Sequence, residues 1–192
     1  VFTCKNTGKV CVFTNTGQLH TVKVAVIPYG KFRDKGVPID NISNFSSDKE
    51  HIIAVTSQTS LNLYRVIFVT KLSMMKIVDG GEFDVSKRMV ASTKLQEGDE
   101  IVDVSVLKEQ KDIILQTKDG YFLKFSLEEI PEKKKGAVGV RGMKLTGTDQ
   151  VENVYYTRPG MADPVIEFKE KQFDLSRIKT GRRDSKGTKP RV

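Results

Sequence analysis

The sequence predicts an all-β protein built as a propeller-like array of repeats, and three observations support this fold class. Val and Ile together number 35 of the 192 residues, whereas Leu numbers 11, and β-branched side chains favour the pleated surface of a sheet. A strand pair whose first strand ends in Thr recurs along the chain. Apolar residues alternate with a period of two, and no helical period continues beyond about ten residues without Pro or Gly.

The recurring strand pairs begin with apolar runs that end in Thr and are followed by a short break. The runs cover residues 10–14, 66–70 and 113–117, and the breaks are Asn15–Gly17, Lys71–Ser73 and Lys118–Gly120. Three-residue hairpin loops commonly end in a left-handed residue, where Gly carries no Cβ penalty. We therefore predict three hairpins, with some loss of turn stability at Ser73. A fainter fourth hairpin is predicted to begin at Val165.

A second motif, an acid followed by β-branched residues, closes each of the first three units. It starts at Glu50, Asp99 and Asp149 and predicts a further strand in each unit. Repeats of this length with several strands are typical of propeller blades. Because one blade cannot cover its own apolar face, neighbouring blades must stack to make a core. We predict a single domain over 1–192 with four blades, at approximately 1–55, 56–105, 106–156 and 157–192.

Basic charge is concentrated at the C-terminal end of the chain. The formal net charge is +8, and residues 169–192, with nine basic and three acidic residues, contribute +6 of it. Such a segment predicts a polyanionic partner, the alternative being a merely solvated tail. Residues 180–192 contain Gly181, Gly187 and Pro190 among their charges. This composition predicts a tail that is mobile in the absence of a partner.

A basic loop follows each predicted hairpin, and these loops supply the candidate binding site. The first to fourth loops are Lys31–Gly36, Ser86–Arg88, Lys133–Gly136 and Gly181–Gly187. Gly136 and Gly187 both fall 19 positions after the anchor residues Thr117 and Phe168, so we predict that the third and fourth loops are equivalent on the rim of a disc. Such loops would hold duplex DNA through its phosphates without reading its bases. The candidate DNA-binding residues are Lys31, Arg33, Lys35, Lys87, Arg88, Lys133, Lys134, Lys135, Arg141, Lys144, Arg182, Arg183, Lys186, Lys189 and Arg191.

Catalytic and metal-binding chemistry find little support in the sequence. His20 is in phase with the apolar face of a strand, where an ordinary hydrogen-bonded or exposed histidine is expected rather than a catalytic base. The adjacent Glu128 and Glu129 would point to opposite faces. Cys4 and Cys11 lack the second pair that a zinc site needs, and two idle thiols are expected rather than a disulfide. We predict a non-catalytic chain without metal or cofactor, and no apolar run is long enough to cross a membrane.

Several stretches resemble blades of a known family. These stretches are Gly17–Pro28 with Lys35–Ile42, Phe68–Lys76 and Gly139–Leu145. They resemble the C-terminal domain of bacterial type IIA topoisomerase A subunits over nearly the whole chain. The resemblance implies a β-pinwheel, a propeller-like disc whose rim binds and bends duplex DNA. It also implies a catalytic core elsewhere in the same polypeptide, a partner ATPase B subunit, and a place in the bacterial cytoplasm at the nucleoid.

Two branches of this family differ in one loop. Gyrase A subunits carry a Gln-Arg-Arg-Gly-Gly-type box, and the nearest match here, Lys133–Gly139, lacks the Gln, the Arg pair and the Gly-Gly. The resemblance therefore implies the A subunit of topoisomerase IV rather than that of gyrase. The chain begins at Val1 with neither Met nor a leader, from which we expect a piece of a longer protein.

Two other classes of function make different predictions. A propeller used as a protein-interaction scaffold would expose an apolar patch, for which Tyr155, Tyr156 and Met161 are the candidates. A hydrolase with a central pocket would need converging histidines and carboxylates, and the chain has only two histidines.

Overall fold

The computed structural model describes residues 2–191, which form 13 strands, one α-helix and five short 3-10 helices. The 3-10 helices are Val24–Val26, Ile39–Asn41, Gly80–Phe83, Leu127–Glu129 and Leu175–Arg177. The α-helix is α1 (Gln58–Leu63). The strands are β1 (Lys9–Thr14), β2 (Gln18–Lys23), β3 (Ile52–Ser57), β4 (Arg65–Thr70), β5 (Met74–Asp79), β6 (Met89–Ala91), β7 (Ile101–Leu107), β8 (Asp112–Thr117), β9 (Phe122–Ser126), β10 (Val140–Arg141), β11 (Val151–Tyr156), β12 (Val165–Phe168) and β13 (Lys171–Asp174). The all-β prediction is confirmed.

Neighbouring sheets are joined by segments that cross from one repeat to the sheet before it. Sheet 1 has the order β3-β1-β2-β6 and sheet 2 the order β10-β5-β4-β7, so β6 and β10 come from the following repeat. Sheet 3 has the order β11-β8-β9, and sheet 4 pairs β12 with β13. Sheets 1 and 2 each contain a strand from the following repeat, so a cut in the sequence does not separate one sheet from the next. The blade boundaries near residues 55, 105 and 156 therefore stay predictions. Residues 1 and 192, the predicted ends, lie outside the described residues.

The crossing segments meet the three acceptor sheets at equivalent positions. Val90 faces Leu19 in sheet 1, and Val140 faces Met75 in sheet 2. In sheet 3, Thr188 bridges Phe122 at the free edge of β9. The same junction therefore occurs three times, between each repeat and the next.

This equivalence corrects the alignment of the third and fourth loops. Gly187 precedes Thr188 as Gly139 precedes Val140, so Gly187 corresponds to Gly139. The spacing from the anchor residues had wrongly predicted that it corresponds to Gly136. The cause is a shorter fourth hairpin. The 3-10 helix that follows the hairpin starts at Leu127, ten residues after Thr117, in the third repeat, but at Leu175, seven residues after Phe168, in the fourth.

The core lies between consecutive sheets rather than within any one of them. Between sheets 1 and 2, the rings of Phe13, Phe68 and Phe83 pack with centroids 5.4–5.8 Å apart. Between sheets 3 and 4, Phe122 contacts Phe168 at 5.1 Å. A third cluster, which includes Ile67 and Leu115, fills the space between sheets 2 and 3. Each repeat thus buries its apolar face against its neighbour, as in other stacked repeats.

The recurring acids hold the hairpin turns of their own repeats. The Asp99 carboxylate accepts a hydrogen bond from the Leu72 amide at 3.0 Å, and Asp149 accepts one from the Asp119 amide at 3.0 Å. The third turn residue has the predicted left-handed backbone, with φ of 63° at Ser73. Ser73 also has a contact that Gly would lack, because its Oγ accepts a hydrogen bond from the Met143 amide at 2.8 Å.

The first repeat uses Glu50 for the same purpose, through a buried polar network. Its carboxylate accepts hydrogen bonds from the hydroxyls of Thr14 at 2.6 Å and Thr16 at 2.9 Å, and its Oε1 lies 2.7 Å from the Nε2 of the fully buried His20. Burial by itself raises the pKa of Glu50, but these hydrogen bonds and the facing His20 outweigh it and lower the pKa below the usual 4.5. The network therefore stabilises the fold above about pH 4.5 and loses this contribution as the pH falls through the lowered pKa.

We expect Glu50→Gln to lower the free energy of unfolding by about 1–2 kcal/mol at neutral pH, because the two hydroxyls and His20 lose their ionised acceptor. Urea unfolding from neutral to acidic pH measures this. The difference between wild type and variant should shrink as the pH falls below about 4.5. A difference that stayed constant down to the acid limit would contradict the assignment of an ionised Glu50.

Candidate nucleic-acid interface

Three of the four predicted basic loops lie against the second strand of the preceding hairpin. The Thr21 amide and hydroxyl donate hydrogen bonds to the carbonyls of Arg88 and Lys87, both at 2.9 Å. At the equivalent place in sheet 2, the Lys133 amide donates to the Ile77 carbonyl at 2.8 Å. In sheet 3 the Gly181 amide donates to the Lys124 carbonyl at 2.7 Å. The loops therefore recur at one position on successive sheets.

In the second repeat, the basic loop exposes both of its predicted cations. Lys87 and Arg88 have exposed side chains, while their carbonyls are held by Thr21. The Arg88 guanidinium donates one hydrogen bond, at 3.3 Å, to the carbonyl of Ile42. The backbone is thus fixed and most of the charge faces solvent.

The third loop is partly neutralised by an acid that sequence reasoning did not connect with it. Lys133 and Lys134 are exposed and Lys135 is half-buried. The Lys134 ammonium lies 3.2 Å from Glu82, and the Lys135 amide donates to the same carboxylate at 3.0 Å. Burial raises the pKa of Glu82, but these hydrogen bonds and the two lysine charges lower it overall. An ionised Glu82 leaves the loop with a smaller net positive charge than its three lysines suggest.

Arg141 and Lys144 of the third repeat meet the fourth loop. Arg141 Nε donates to Asp184 at 2.5 Å, and an Arg183 guanidinium nitrogen donates to the Arg141 carbonyl at 2.7 Å. The Lys144 amide donates to the carbonyl of Ser185 at 3.0 Å. Hydrogen bonding from Arg141 lowers the pKa of Asp184, with the charges of Lys144 and Arg183 adding to the effect. This cluster brings predicted site residues from two repeats together around one carboxylate.

The predicted tail completes the edge of sheet 3. Phe122 and Thr188 exchange two backbone hydrogen bonds of 2.8 Å each. The ammonium groups of Lys186 and Lys189 lie 5.6 and 4.9 Å from the ring centroid of Tyr121. The basic side chains of this segment that stay exposed are Arg182, Lys186, Lys189 and Arg191. Mobility of this segment stays a prediction, and Val192 lies outside the described residues.

The first loop differs from the other three. Lys31, Arg33 and Lys35 are exposed, but among the described residues the segment from 29 to 38 makes only local hydrogen bonds. Tyr29 and Phe32 are 98% and 104% exposed. Sequence reasoning did not select these two rings, although aromatic residues between Gly and basic residues were a usable signal.

The three residues proposed for a scaffold patch lie around one open surface cavity, but their exposure differs. The Tyr155 hydroxyl donates to Gln116 at 2.8 Å and the Tyr156 hydroxyl donates to Asp103 at 2.5 Å. Both tyrosines are half-buried, and Met161 is the exposed member of the three, at 60%. The two tyrosine hydroxyls therefore donate hydrogen bonds to side chains on β8 and β7, and Met161 is the member of the three that stays exposed.

The histidine and cysteine residues have structural surroundings. His20 is buried and faces Glu50, which is the hydrogen-bonded one of the two alternatives expected from the sequence. Cys4 and Cys11 are free thiols, and burial raises the pKa of Cys11 to about 12. No helix within residues 2–191 has the length and apolar character needed to span a bilayer.

Comparison with known proteins agrees with this architecture. A family model described as the DNA gyrase C-terminal domain, beta-propeller, matches residues 64–108 and 111–158, the second and third repeats. The DNA gyrase A subunit of Lawsonia intracellularis is 28% identical over 177 residues, which are 88% of this chain and 22% of that protein. The DNA gyrase A subunit of Helicobacter pylori is 31% identical over 78% of this chain and 18% of that protein. The chain thus spans about a fifth of the length of these relatives.

Solved structures share the fold. The C-terminal domain of DNA topoisomerase IV superposes with a TM-score of 0.87 and 23% identity, over 95% of this chain and 58% of that one. The DNA gyrase A C-terminal domain gives a TM-score of 0.71 and 19% identity, over 96% of this chain and 60% of that one. The repeated hairpins, the crossing segments and the matched repeats all agree. The chain therefore belongs to the family of DNA gyrase C-terminal β-propeller domains, the C-terminal domains of type IIA topoisomerase A subunits.

Proposed function

We propose that this chain binds duplex DNA through its basic loops, without sequence preference, and bends the duplex around the rim of the pinwheel. One observation supports this most directly: three basic loops occupy equivalent positions on successive sheets, so their cations recur once per blade. Lysine contacts a phosphate as a point charge and carries no sequence information there. Regularly spaced cations of this kind suit a continuous phosphate backbone.

We also propose that the chain acts as an accessory domain of a type II DNA topoisomerase. It would present DNA to a catalytic core elsewhere in the same polypeptide, which works with an ATPase B subunit in the bacterial cytoplasm at the nucleoid. It would need no cofactor of its own. A closer relation to topoisomerase IV than to gyrase is supported by the stretch Lys133–Gly139, which begins with the third loop and lacks the Gln, the Arg pair and the Gly-Gly.

We expect binding to a labelled duplex to weaken steeply with salt, because neutralised phosphates release counterions. Several phosphate contacts give a log-log slope of roughly −4 to −7 between about 50 and 200 mM salt. Fluorescence anisotropy titrations with two duplexes of unrelated sequence measure the slope and the sequence dependence together. Affinity that did not change with salt, or that belonged to one of the two sequences, would refute the proposal.

A protein-interaction scaffold is the second candidate, and the fully exposed Tyr29 and Phe32 favour it. Exposed aromatic rings are common at protein interfaces. Capture of a protein partner that survives nuclease treatment would support this candidate, whereas capture lost with nuclease would indicate DNA as the bridge.

A further inference from the structure

Lys76, on β5, is a fully buried lysine, with 0% of its surface exposed. Its ammonium donates hydrogen bonds to the carbonyls of Lys134 at 3.0 Å, Lys135 at 2.7 Å and Ala137 at 2.5 Å. It also lies 5.7 Å from the ring centroid of Phe68. Among residues 2–191 no carboxylate forms an ion pair with it. All three N–H donors of the ammonium thus bind backbone carbonyls of the third basic loop and of Ala137, which follows it directly.

A lysine at this strand position occurs in the second of the first three hairpins only. The strand registers place His20, Lys76 and Leu123 at the same point of successive hairpins, opposite Val12, Phe68 and Leu115. His20 instead faces Glu50, and Leu123 is apolar. Within the described residues, the second and fourth loops therefore lack this contact, and the third loop alone is built around a cation.

The geometry gives the cation a specific task. Three carbonyl oxygens that point at one place repel one another unless a cation lies between them. With the carbonyls turned inward, the side chains of Lys133 and Lys134 stay exposed. Glu82 secures the other side of the loop, through the amide of Lys135 at 3.0 Å. Lys76 therefore fixes the path of the chain that carries the lysines.

Burial of a charge here has a cost that a purely structural residue would avoid. Desolvation lowers the pKa of Lys76 to about 8, and the nearby Glu82 only partly opposes this. Replacing both partners of a buried ion pair by apolar residues is often neutral or stabilising, whereas removing one partner of a buried polar contact leaves the other unsatisfied. A lysine at this position is therefore better explained by what it does to the loop than by what it does for the core.

We propose that Lys76 is a positioning residue for DNA binding: its ammonium gathers the carbonyls of the third basic loop so that Lys133 and Lys134 face the phosphate backbone. This inference rests on the proposed function. Lys76 itself is buried and would not contact DNA.

The test is Lys76→Met, which keeps the apolar stem and removes the ammonium. We expect the midpoint of urea unfolding to fall modestly, because three carbonyls lose their donor. Native-state trypsin cleavage after residues 133–135 should become about tenfold faster, and the Kd for duplex DNA should rise about three- to tenfold. Leu123→Met, at the same register in the next hairpin, is the matched control and should change neither cleavage nor Kd. Should Lys76→Met fail to fold, Lys76→Gln provides a neutral donor for the same measurements.

A double-mutant cycle separates positioning from a general effect of charge. In the background K133A/K134A/K135A, Lys76→Met should cause no further loss of DNA affinity, because the loop has no lysines left to position. Fully additive losses would overturn the proposal, and so would unchanged cleavage in Lys76→Met. If wild type binds no DNA, the proposed function fails, while the cleavage assay still decides whether Lys76 holds the loop.

Discussion

Replacing Gly139 by valine is expected to lower the free energy of unfolding by more than about 4 kcal/mol. Gly139 has a φ of +102°, and a Cβ at this residue would lie 2.4 Å from the Met75 carbonyl oxygen and 2.9 Å from its carbon. Those atoms belong to the backbone of β5, which cannot move aside. The next residue, Val140, pairs with Met75. The substitution therefore strains the local backbone and also breaks the junction between the second and third repeats.

Chemical denaturation followed by near-UV circular dichroism measures this loss of unfolding free energy. Two further variants are needed for comparison. Gly136→Val is the control, since a Cβ there meets nothing within 4 Å, and we expect a change below about 1 kcal/mol. Gly187→Val should behave like Gly139→Val, because its Cβ would lie 2.7 Å from the Phe122 carbonyl oxygen. Equal losses at Gly136 and Gly139 would contradict the register of the crossing segments.

The hairpins could be predicted from sequence, whereas the crossing segments could not. Strands such as β4 and β8 are six residues long, are rich in β-branched side chains and end at recognisable turns. In contrast, β6 and β10 have three and two residues, too few for any periodicity. They become strands only because the preceding sheet offers a free edge, and this is a tertiary effect.

The fourth hairpin shows why the alignment of loops failed. Its turn consists of Lys169 and Glu170, which adopt φ values of 51° and 62°. Two-residue hairpin turns with positive φ usually carry Asn or Gly, so nothing in the local sequence marked a tight turn. This turn is one residue shorter than that of the third hairpin, and the return strand Lys171–Asp174 is two residues shorter than the segment 121–126. Counting along the chain therefore aligned Gly187 with Gly136 rather than with Gly139. The helix α1 was also missed, although Ser57 caps it by accepting a hydrogen bond from the Ser60 amide at 3.1 Å.

The positions of the basic loops could be predicted in outline from the sequence, but the ion pairs around them could not. Clusters of basic residues marked the loops, since charge is visible in any sequence. The carboxylates that neutralise them come from far along the chain, as with Glu82 beside Lys134 and Asp184 beside Arg141. Lys76 was hidden for a similar reason, because a lysine in a strand is normally expected at the surface. Its carbonyl partners lie about 60 residues further on.

The substitution K133A/K134A/K135A is expected to weaken DNA binding roughly 10- to 100-fold at moderate salt. The loss should be about equal for every duplex sequence, because the proposed contacts are to phosphates. Loss of three phosphate contacts would reduce the log-log salt slope by about three, but we expect a reduction of about two. The reason is that Lys134 is paired with Glu82 in the free protein and must leave that carboxylate before it can serve a phosphate.

The matched control is K49A/K108A/K111A, which removes the same charge from three exposed lysines outside the basic loops. If placement on the rim governs binding, this control should change the Kd less than about threefold, through long-range attraction alone. Anisotropy titrations of both variants at two salt concentrations make the comparison. Equal losses in the two variants would mean that net charge decides the affinity, and the alignment of loops on successive sheets would then have no part in binding.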